Sequence, residues 1–127
     1  MKRTLNWIAA LSLAALSAGP AIAGGVSPFG QWQVTSGEAR YSVTSCGGGL
    51  CARLVWLRSD ARTEANLALL NHYVVRGAQP RGGGQWAGNL TMNGNSYTGT
   101  MTLVSKNFMT LKGCAGVLCQ TYEFTRI

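Results

Sequence analysis

The sequence predicts an all-β protein, a small eight-stranded antiparallel up-and-down barrel, and three observations predict it. Helical periodicity is nearly absent beyond residue 23, while apolar and polar residues alternate in short runs between turn signals. Two cysteine pairs of equal spacing, Cys46-GGGL-Cys51 and Cys114-AGVL-Cys119, bracket glycine-bearing tips. Finally, five hairpin registers, each set by turn chemistry or cysteine spacing, place apolar residues opposite apolar residues. A slip of one residue in any of them would turn that strand's apolar set outward.

The chain has 127 residues and opens Met1-Lys2-Arg3, followed by an apolar run to about Leu16 and an Ala21-Ile22-Ala23 ending. That order reads as a secretory leader of residues 1–23, cleaved after Ala23. The apolar core is shorter than the roughly 20 residues a membrane-spanning helix needs. A single domain of residues 24–127 is expected, periplasmic or secreted. Four cysteines in such a chain read as disulfides before they read as zinc ligands, which more often stand two residues apart. Three pairings are possible, and the strand registers favour the two local ones, Cys46 with Cys51 and Cys114 with Cys119.

Taking the elements in order, residues 31–36 put Trp32 and Val34 on one face, and residues 39–45 put Tyr41 and Val43 on one face. A two-residue turn at Gly37-Glu38 sets Val34 opposite Tyr41 and Trp32 opposite Val43. Directly opposed Cys46 and Cys51 then set Val43 against Leu54 and Tyr41 against Trp56, all inward. Residues 59–71 do not read as strand. Asp60 can cap a short helix there, with Leu67, Leu70 and Val74 on its apolar side, making a helical or loop crossover. A fourth strand covers about 72–76 with Tyr73 and Val75 inward, and the glycine-rich stretch 77–84 reads as a flexible loop.

Asn93-Gly94 is the strongest hairpin signal, matching Leu90 to Tyr97, Gly88 to Gly99 and Trp86 to Met101. A loop of Ser105, Lys106 and left-handed Asn107 matches Leu103 to Met109 and Met101 to Leu111. Opposed Cys114 and Cys119 match Leu111 to Tyr122 and Met109 to Phe124. Eight strands with neighbouring connections and one apolar face close most simply as a barrel, which leaves no exposed edge. An open sheet curled over residues 59–71 is the alternative. A transmembrane barrel would carry its apolar face outward, the reverse of this pattern.

Gly30-Gln31-Trp32, the block from Cys46-Gly47 through Leu50-Cys51 to Arg53-Leu54-Val55-Trp56-Leu57, Trp86-x-Gly88, Asn93-Gly94-x-x-Tyr97, Leu111-x-Gly113 and Thr121-x-x-x-Thr125-Arg126 resemble an uncharacterised family of secreted bacterial domains. Its members carry a CG-x-x-LCG-x-[IL]-V-W-L block and end on a T-x-x-W-x-R type strand. The resemblance implies a lipocalin-like, calycin-type barrel outside the cytoplasm with no established enzymatic activity. Ala52 stands where the family usually has glycine, no Asn-Pro comes after Asn66, and Cys114 and Cys119 replace residues that are usually not cysteine.

The chemistry available is thin. His72 is the one histidine, and the four carboxylates Glu38, Asp60, Glu64 and Glu123 are scattered by the expected fold, whereas catalysis needs groups that converge in a cleft. Cysteines at hairpin tips lack the setting that makes a reactive thiol. Asp60, Glu64 and Asn66 fall short of the ligand density of a calcium loop. No enzymatic role, cofactor or metal is expected.

Binding remains, in two forms. A small apolar ligand could enter a barrel interior lined by Trp32, Tyr41, Trp56, Trp86, Gly88, Tyr97, Gly99, Met101 and Tyr122, with inward Gly88, Gly99 and Gly113 leaving space; alternatively those aromatics fill the core. In the second form, the outer surface or the 77–84 loop meets an envelope component or a protein partner, with Arg76, Arg81 and a nearby Arg62 or Arg58 attracting anionic groups. The formal charge is +7, from 11 basic and 4 acidic residues, and falls to +5 without Lys2 and Arg3. Because the charges are dispersed and the chain is exported, nucleic acid is not an expected partner.

Overall fold

The computed structural model describes residues 26–92 and 95–127. The leader of residues 1–23 with its cleavage site, and the Asn93-Gly94 turn, lie outside them. Eight strands form a closed antiparallel barrel in sequence order: β1 (Gly30–Val34), β2 (Ala39–Cys46), β3 (Gly49–Leu57), β4 (Tyr73–Gly82), β5 (Gln85–Met92), β6 (Asn95–Ser105), β7 (Phe108–Ala115) and β8 (Leu118–Arg126). The ring is closed by β1 against β8, with Trp32 opposite Arg126 and Val34 opposite Phe124. One short excursion, a 3₁₀ turn (Ser59–Ala61) and the helix α1 (Glu64–Leu67), joins β3 to β4.

The second half of the barrel has the registers the sequence predicts. Leu90 faces Tyr97, Gly88 faces Gly99, and Trp86 faces Met101. Met101 faces Leu111 and Leu103 faces Met109, and Cys114 lies directly opposite Cys119 with Leu111 against Tyr122 and Met109 against Phe124. The disulfide Cys114–Cys119 spans a Cα separation of 4.0 Å. The β6–β7 link differs in detail, because β6 runs on to Ser105 and leaves only Lys106-Asn107 at the tip. Asn107 does not have the expected left-handed backbone; Asn71, at φ 68°, is the only non-glycine residue among those described that does.

The first half departs by even steps and by bulges. The β1–β2 link is four residues, 35–38, so Trp32 faces Tyr41 and Gly30 faces Val43, two positions from the expected register. The Gly37 amide donates to the Val34 carbonyl at 2.8 Å, so the turn proper is centred on Thr35-Ser36 rather than Gly37-Glu38. At the next tip, Gly47 and Gly48 both have positive φ (57° and 81°). They make a two-residue turn of the kind whose twist suits a hairpin. Cys46 therefore faces Gly49, and Cys51 faces Thr44, with Val43 against Ala52 and Tyr41 against Leu54. The disulfide Cys46–Cys51 still forms, joining diagonal rather than opposed residues at a Cα separation of 5.9 Å. A two-residue shift leaves every side chain on its face, which is why the apolar pattern could not reveal it.

A one-residue shift has the opposite effect. Between Tyr41 and Arg40 the β2–β3 register changes, so that Arg40 faces Trp56 and Ala39 faces Leu57, with Val55 as the extra residue. Trp56, expected inward, is thereby turned to the outer face, where the Arg40 guanidinium lies 4.3 Å from the centre of its ring. Leu54 and Leu57 take the inner positions and are buried. A second shift in β3–β4 brings both Val74 and Val75 inside and leaves Tyr73, expected inward, on the outer surface.

Most of the stretch expected to be a loop at 77–84 is strand, since β4 extends to Gly82. A bulge at Gly77, whose φ is 66°, lets residues 77 and 78 face Gly88 alone. Gly88 is needed there for approach rather than for space, because a β-carbon on it would stand 2.8 Å from the Ala78 Cα. In the crossover, Thr63 rather than Asp60 caps α1, accepting the Asn66 amide at 3.2 Å, while Asp60 is turned to Arg58. Leu67 is exposed, and Leu69 and Leu70 pack instead against Ala39, Leu54, Leu57 and Ala61.

Gly88→Ala should therefore cost about 1–3 kcal/mol as an overpacked site. Gly99→Ala, whose β-carbon would meet nothing closer than 3.5 Å, should be neutral or stabilising by up to about 1 kcal/mol. Urea unfolding midpoints of the two variants check the contrast.

Candidate functional site

The barrel has two unlike ends. At one end lie the hairpin tips 47–48, 83–84 and 106–107 and the incoming segment 26–29, and here the interior is filled. Trp32 is fully buried. Its indole Nε1 donates to the Pro28 carbonyl at 2.8 Å, and the Arg126 guanidinium lies 4.4 Å from the centre of its ring. Arg126 also donates from Nε to the Lys106 carbonyl at 2.9 Å, from Nη1 to the Phe29 carbonyl at 2.8 Å, and from Nη2 to the Ser27 carbonyl. One planar cation thus fastens the N-terminal segment and the β6–β7 tip over a tryptophan, which a lysine's point charge could not reproduce.

The other end carries the β1–β2 loop, the β3–β4 crossover and the β7–β8 tip. Beneath the crossover is a cavity of about 200 Å³. Its walls are the apolar inner faces of all the strands that reach it, including Tyr41, Leu54, Leu57, Val74, Met101 and Phe124, and its cover is Ala61, Asn66 and Leu69. Tyr41 stands edge-on to Phe124, with ring centres 5.6 Å apart. At the covered end the lining includes two polar residues, Glu38 and Asn66. Asn66 Nδ2 is committed to the Ala61 carbonyl at 2.8 Å, which ties α1 to the 3₁₀ turn.

A second cavity of about 320 Å³ lies toward the β7–β8 tip, lined by Tyr97, Gly113, Ala115, Leu118 and Gln120. Leu90 and Tyr122 border both spaces and divide them. The Tyr122 hydroxyl donates to Gln120 Oε1 at 2.7 Å, fixing that partition from one side.

The crossover is fastened at its base by Arg58. Its backbone amide donates to the Glu38 carbonyl at 2.8 Å, its Nη1 donates to the Ser36 carbonyl at 3.1 Å, and its Nε and Nη2 take the two Asp60 oxygens at 2.6 and 3.0 Å. The hydrogen bond from Arg58 holds the Asp60 carboxyl below its ordinary range and raises Arg58 in turn. Burial, and secondarily the neighbouring Tyr122, raises the Tyr41 hydroxyl above its ordinary 10.0.

Of the lining residues the sequence suggests, Trp32, Tyr41, Met101 and Tyr122 border the first cavity and Tyr97 and Tyr122 the second. Trp86, Gly88 and Gly99 border neither. Trp86 packs on the core between Pro80 and Met101, and the room above Gly88 is taken by Ala78. Trp56 is outside the barrel. The crossover's contribution, Ala61, Asn66 and Leu69 together with Glu38, carries no signal in sequence, since no periodicity links a four-residue helix to a space beneath it.

The potential catalytic groups do not meet. Asp60 is paired with Arg58, Glu64 is in the first turn of α1, Glu123 is on the outer side of β8 opposite Thr110, and His72 is exposed. Among the described residues no three His, Cys, Asp or Glu side chains are grouped to hold a metal ion. Nor is any described helix long and apolar enough to cross a membrane. The two disulfides point to an oxidising, extracytoplasmic compartment.

A closed eight-stranded barrel with one short crossover is a lipocalin-like fold. The chain matches a solved structure described as "Protein HP1028 from the human pathogen Helicobacter pylori belongs to the lipocalin family", with a TM-score of 0.62 over 80% of this chain and 84% of that one. Identity is 14%, so the likeness is one of fold. By sequence the protein belongs to a bacterial family, described as "Uncharacterized protein conserved in bacteria (DUF2147)", whose model matches residues 30–126. No curated protein matches the chain.

Two tryptophan variants separate the filled end from the outer face. Trp32→Ala should cost about 3–5 kcal/mol in urea unfolding, whereas Trp56→Ala, on the outside, should cost about 0.5–1 kcal/mol. Because the Tyr41 hydroxyl is raised in the folded state, its share of stability is complete below the ordinary value and is lost as pH rises through the folded one. Unfolding free energy in alkali should fall more steeply for the native protein than for Tyr41→Phe.

Proposed function

We propose that the protein is a non-catalytic binder of a small apolar molecule, held in the cavity beneath the β3–β4 crossover. In this reading it works in the periplasm or outside the cell as a single β-barrel domain, once residues 1–23 are removed. The observation that carries the proposal is the space itself, about 200 Å³ with apolar walls under a cover fastened by Arg58. An apolar cavity of roughly 150 Å³ stays dry and can take a benzene-sized molecule, so a space this large favours an apolar guest over water.

Size bounds the ligand. Drug-sized pockets run from about 300 Å³ upward, which makes the expected guest a single ring or a short aliphatic chain.

Native mass spectrometry of protein from its own source should find an apolar molecule bound at one per chain. The purified protein should also enhance the fluorescence of N-phenyl-1-naphthylamine, and Ala61→Phe, which fills the cavity from its cover, should weaken that uptake by about tenfold or more. Absence of both a co-purified molecule and probe uptake would reject the proposal.

A further inference from the structure

The bulge that expels Trp56 from the interior creates a second feature, on the outer face of β2, β3 and β4. β2 and β3 each present one arginine there, Arg40 and Arg53, and β4 presents Arg76, with the exposed Arg81 further along the same strand. The pairings Arg40 with Trp56 and Arg53 with Tyr73 place the three along an oblique row across the sheet, neighbouring strands being about 4.8 Å apart. Two of the guanidiniums lie on aromatic rings. Arg40 is 4.3 Å from the centre of the Trp56 ring and Arg76 is 5.0 Å from that of Tyr73. Arg40 is held further by its Nε, which donates to Gln33 Oε1 at 2.9 Å.

No carboxylate among the described residues answers these charges. The ion pair there joins Arg58 to Asp60. Glu38 sits in the β1–β2 loop at the cavity, Glu64 on α1, and Glu123 on β8. Ser42, Thr44 and Gln33 add hydroxyl and amide groups to the face, beside the Cys46–Cys51 disulfide. A guanidinium held over a ring is restricted in position and keeps N–H donors to offer, and a guanidinium can take a carboxylate with two hydrogen bonds.

We propose that this face of the barrel binds an anionic polysaccharide, its carboxylates engaging Arg40, Arg53 and Arg76 in succession. A row of three cations on three strands suits a chain of repeated charges better than one small anion. A bilayer surface suits it less, because the exposed aliphatic residues among those described, Val26, Leu67, Val104, Val117, Leu118 and Ile127, all lie outside β2, β3 and β4. The two disulfides place the protein where such polymers occur and nucleic acid does not. This site is separate from the cavity and stands whether or not the cavity is filled.

The test uses polygalacturonate oligomers, with binding read by calorimetry and by Trp56 emission. Three triple variants of the full barrel are compared: Arg40→Ala/Arg53→Ala/Arg76→Ala; the same three positions changed to Lys; and Arg62→Ala/Lys106→Ala/Lys112→Ala, which removes as much charge from outside β2, β3 and β4. The first should lose about tenfold or more in affinity, and its dependence on salt should flatten, since fewer counterions are released. The lysine variant should lose several-fold despite its unchanged charge, and the third should stay within about twofold of the native protein. Equal losses in the first and third variants, full binding by the lysine variant, or no binding at low salt would overturn the proposal. So would retention on phosphatidylglycerol vesicles that depends on these three arginines when polygalacturonate does not bind.

Discussion

Closure of β1 on β8 governs every other feature of the fold. Once the ring is shut, every strand has two hydrogen-bonded neighbours and the sheet has no edge to protect. It also has an inside, which must be filled or left as a space. Trp32 is the residue at which both demands meet, lying between Tyr41 on β2 and Arg126 on β8 while its ring stops the filled end. Arg126 serves the same junction three ways, as a strand residue, as a cation over the indole and as a donor to three carbonyls. The N-terminal segment, the last strand and the β6–β7 tip are thereby held as one unit at the far end from the cavity.

The cavity exists because of what the other end leaves out. A barrel of eight strands is just wide enough for side chains to fill it or for one small ligand to be held. The balance between those outcomes is set at the β2–β3 bulge. With an unbroken register, Trp56 would point inward beside Tyr41 and its ring would occupy much of the space beneath the crossover. With Val55 as an extra residue, the inner positions pass to Leu54 and Leu57, opposite small Ala39, and the indole goes outside. One inserted residue therefore gives the protein both an interior space and an outward tryptophan for Arg40 to lie upon.

Arginine is used in three physically different ways around this frame. Arg126 is consumed by structure, with its donors spent on carbonyls. Arg58 is spent on the crossover, holding Asp60 and the β1–β2 loop in place. Arg40, Arg53 and Arg76 have no ionised partner among the described residues, and two of them are oriented by aromatic rings. A positive surplus that looks evenly dispersed along the chain is thus uneven in space, because the sheet brings residues 40, 53 and 76 onto neighbouring strands.

Strand count, closure, the two local disulfides and the inward residues of the second half were all legible in the order of amino acids. Alternation has a period of two, and tight turns and cysteine pairs fix register locally, as they do from Trp86 to Phe124. Other features come only from packing in three dimensions. A two-residue slip, as at Trp32 and Tyr41 or at Val43 and Ala52, leaves the alternation unchanged and so leaves no trace in it. Bulges at Val55 and at Val74 reverse the facing of the residues beyond them, and nothing local marks Trp56 or Tyr73 as outward. They are settled by whether neighbouring strands can pack, by the volume that a closed ring can hold, and by Ala78 pressing against Gly88 from the adjacent strand.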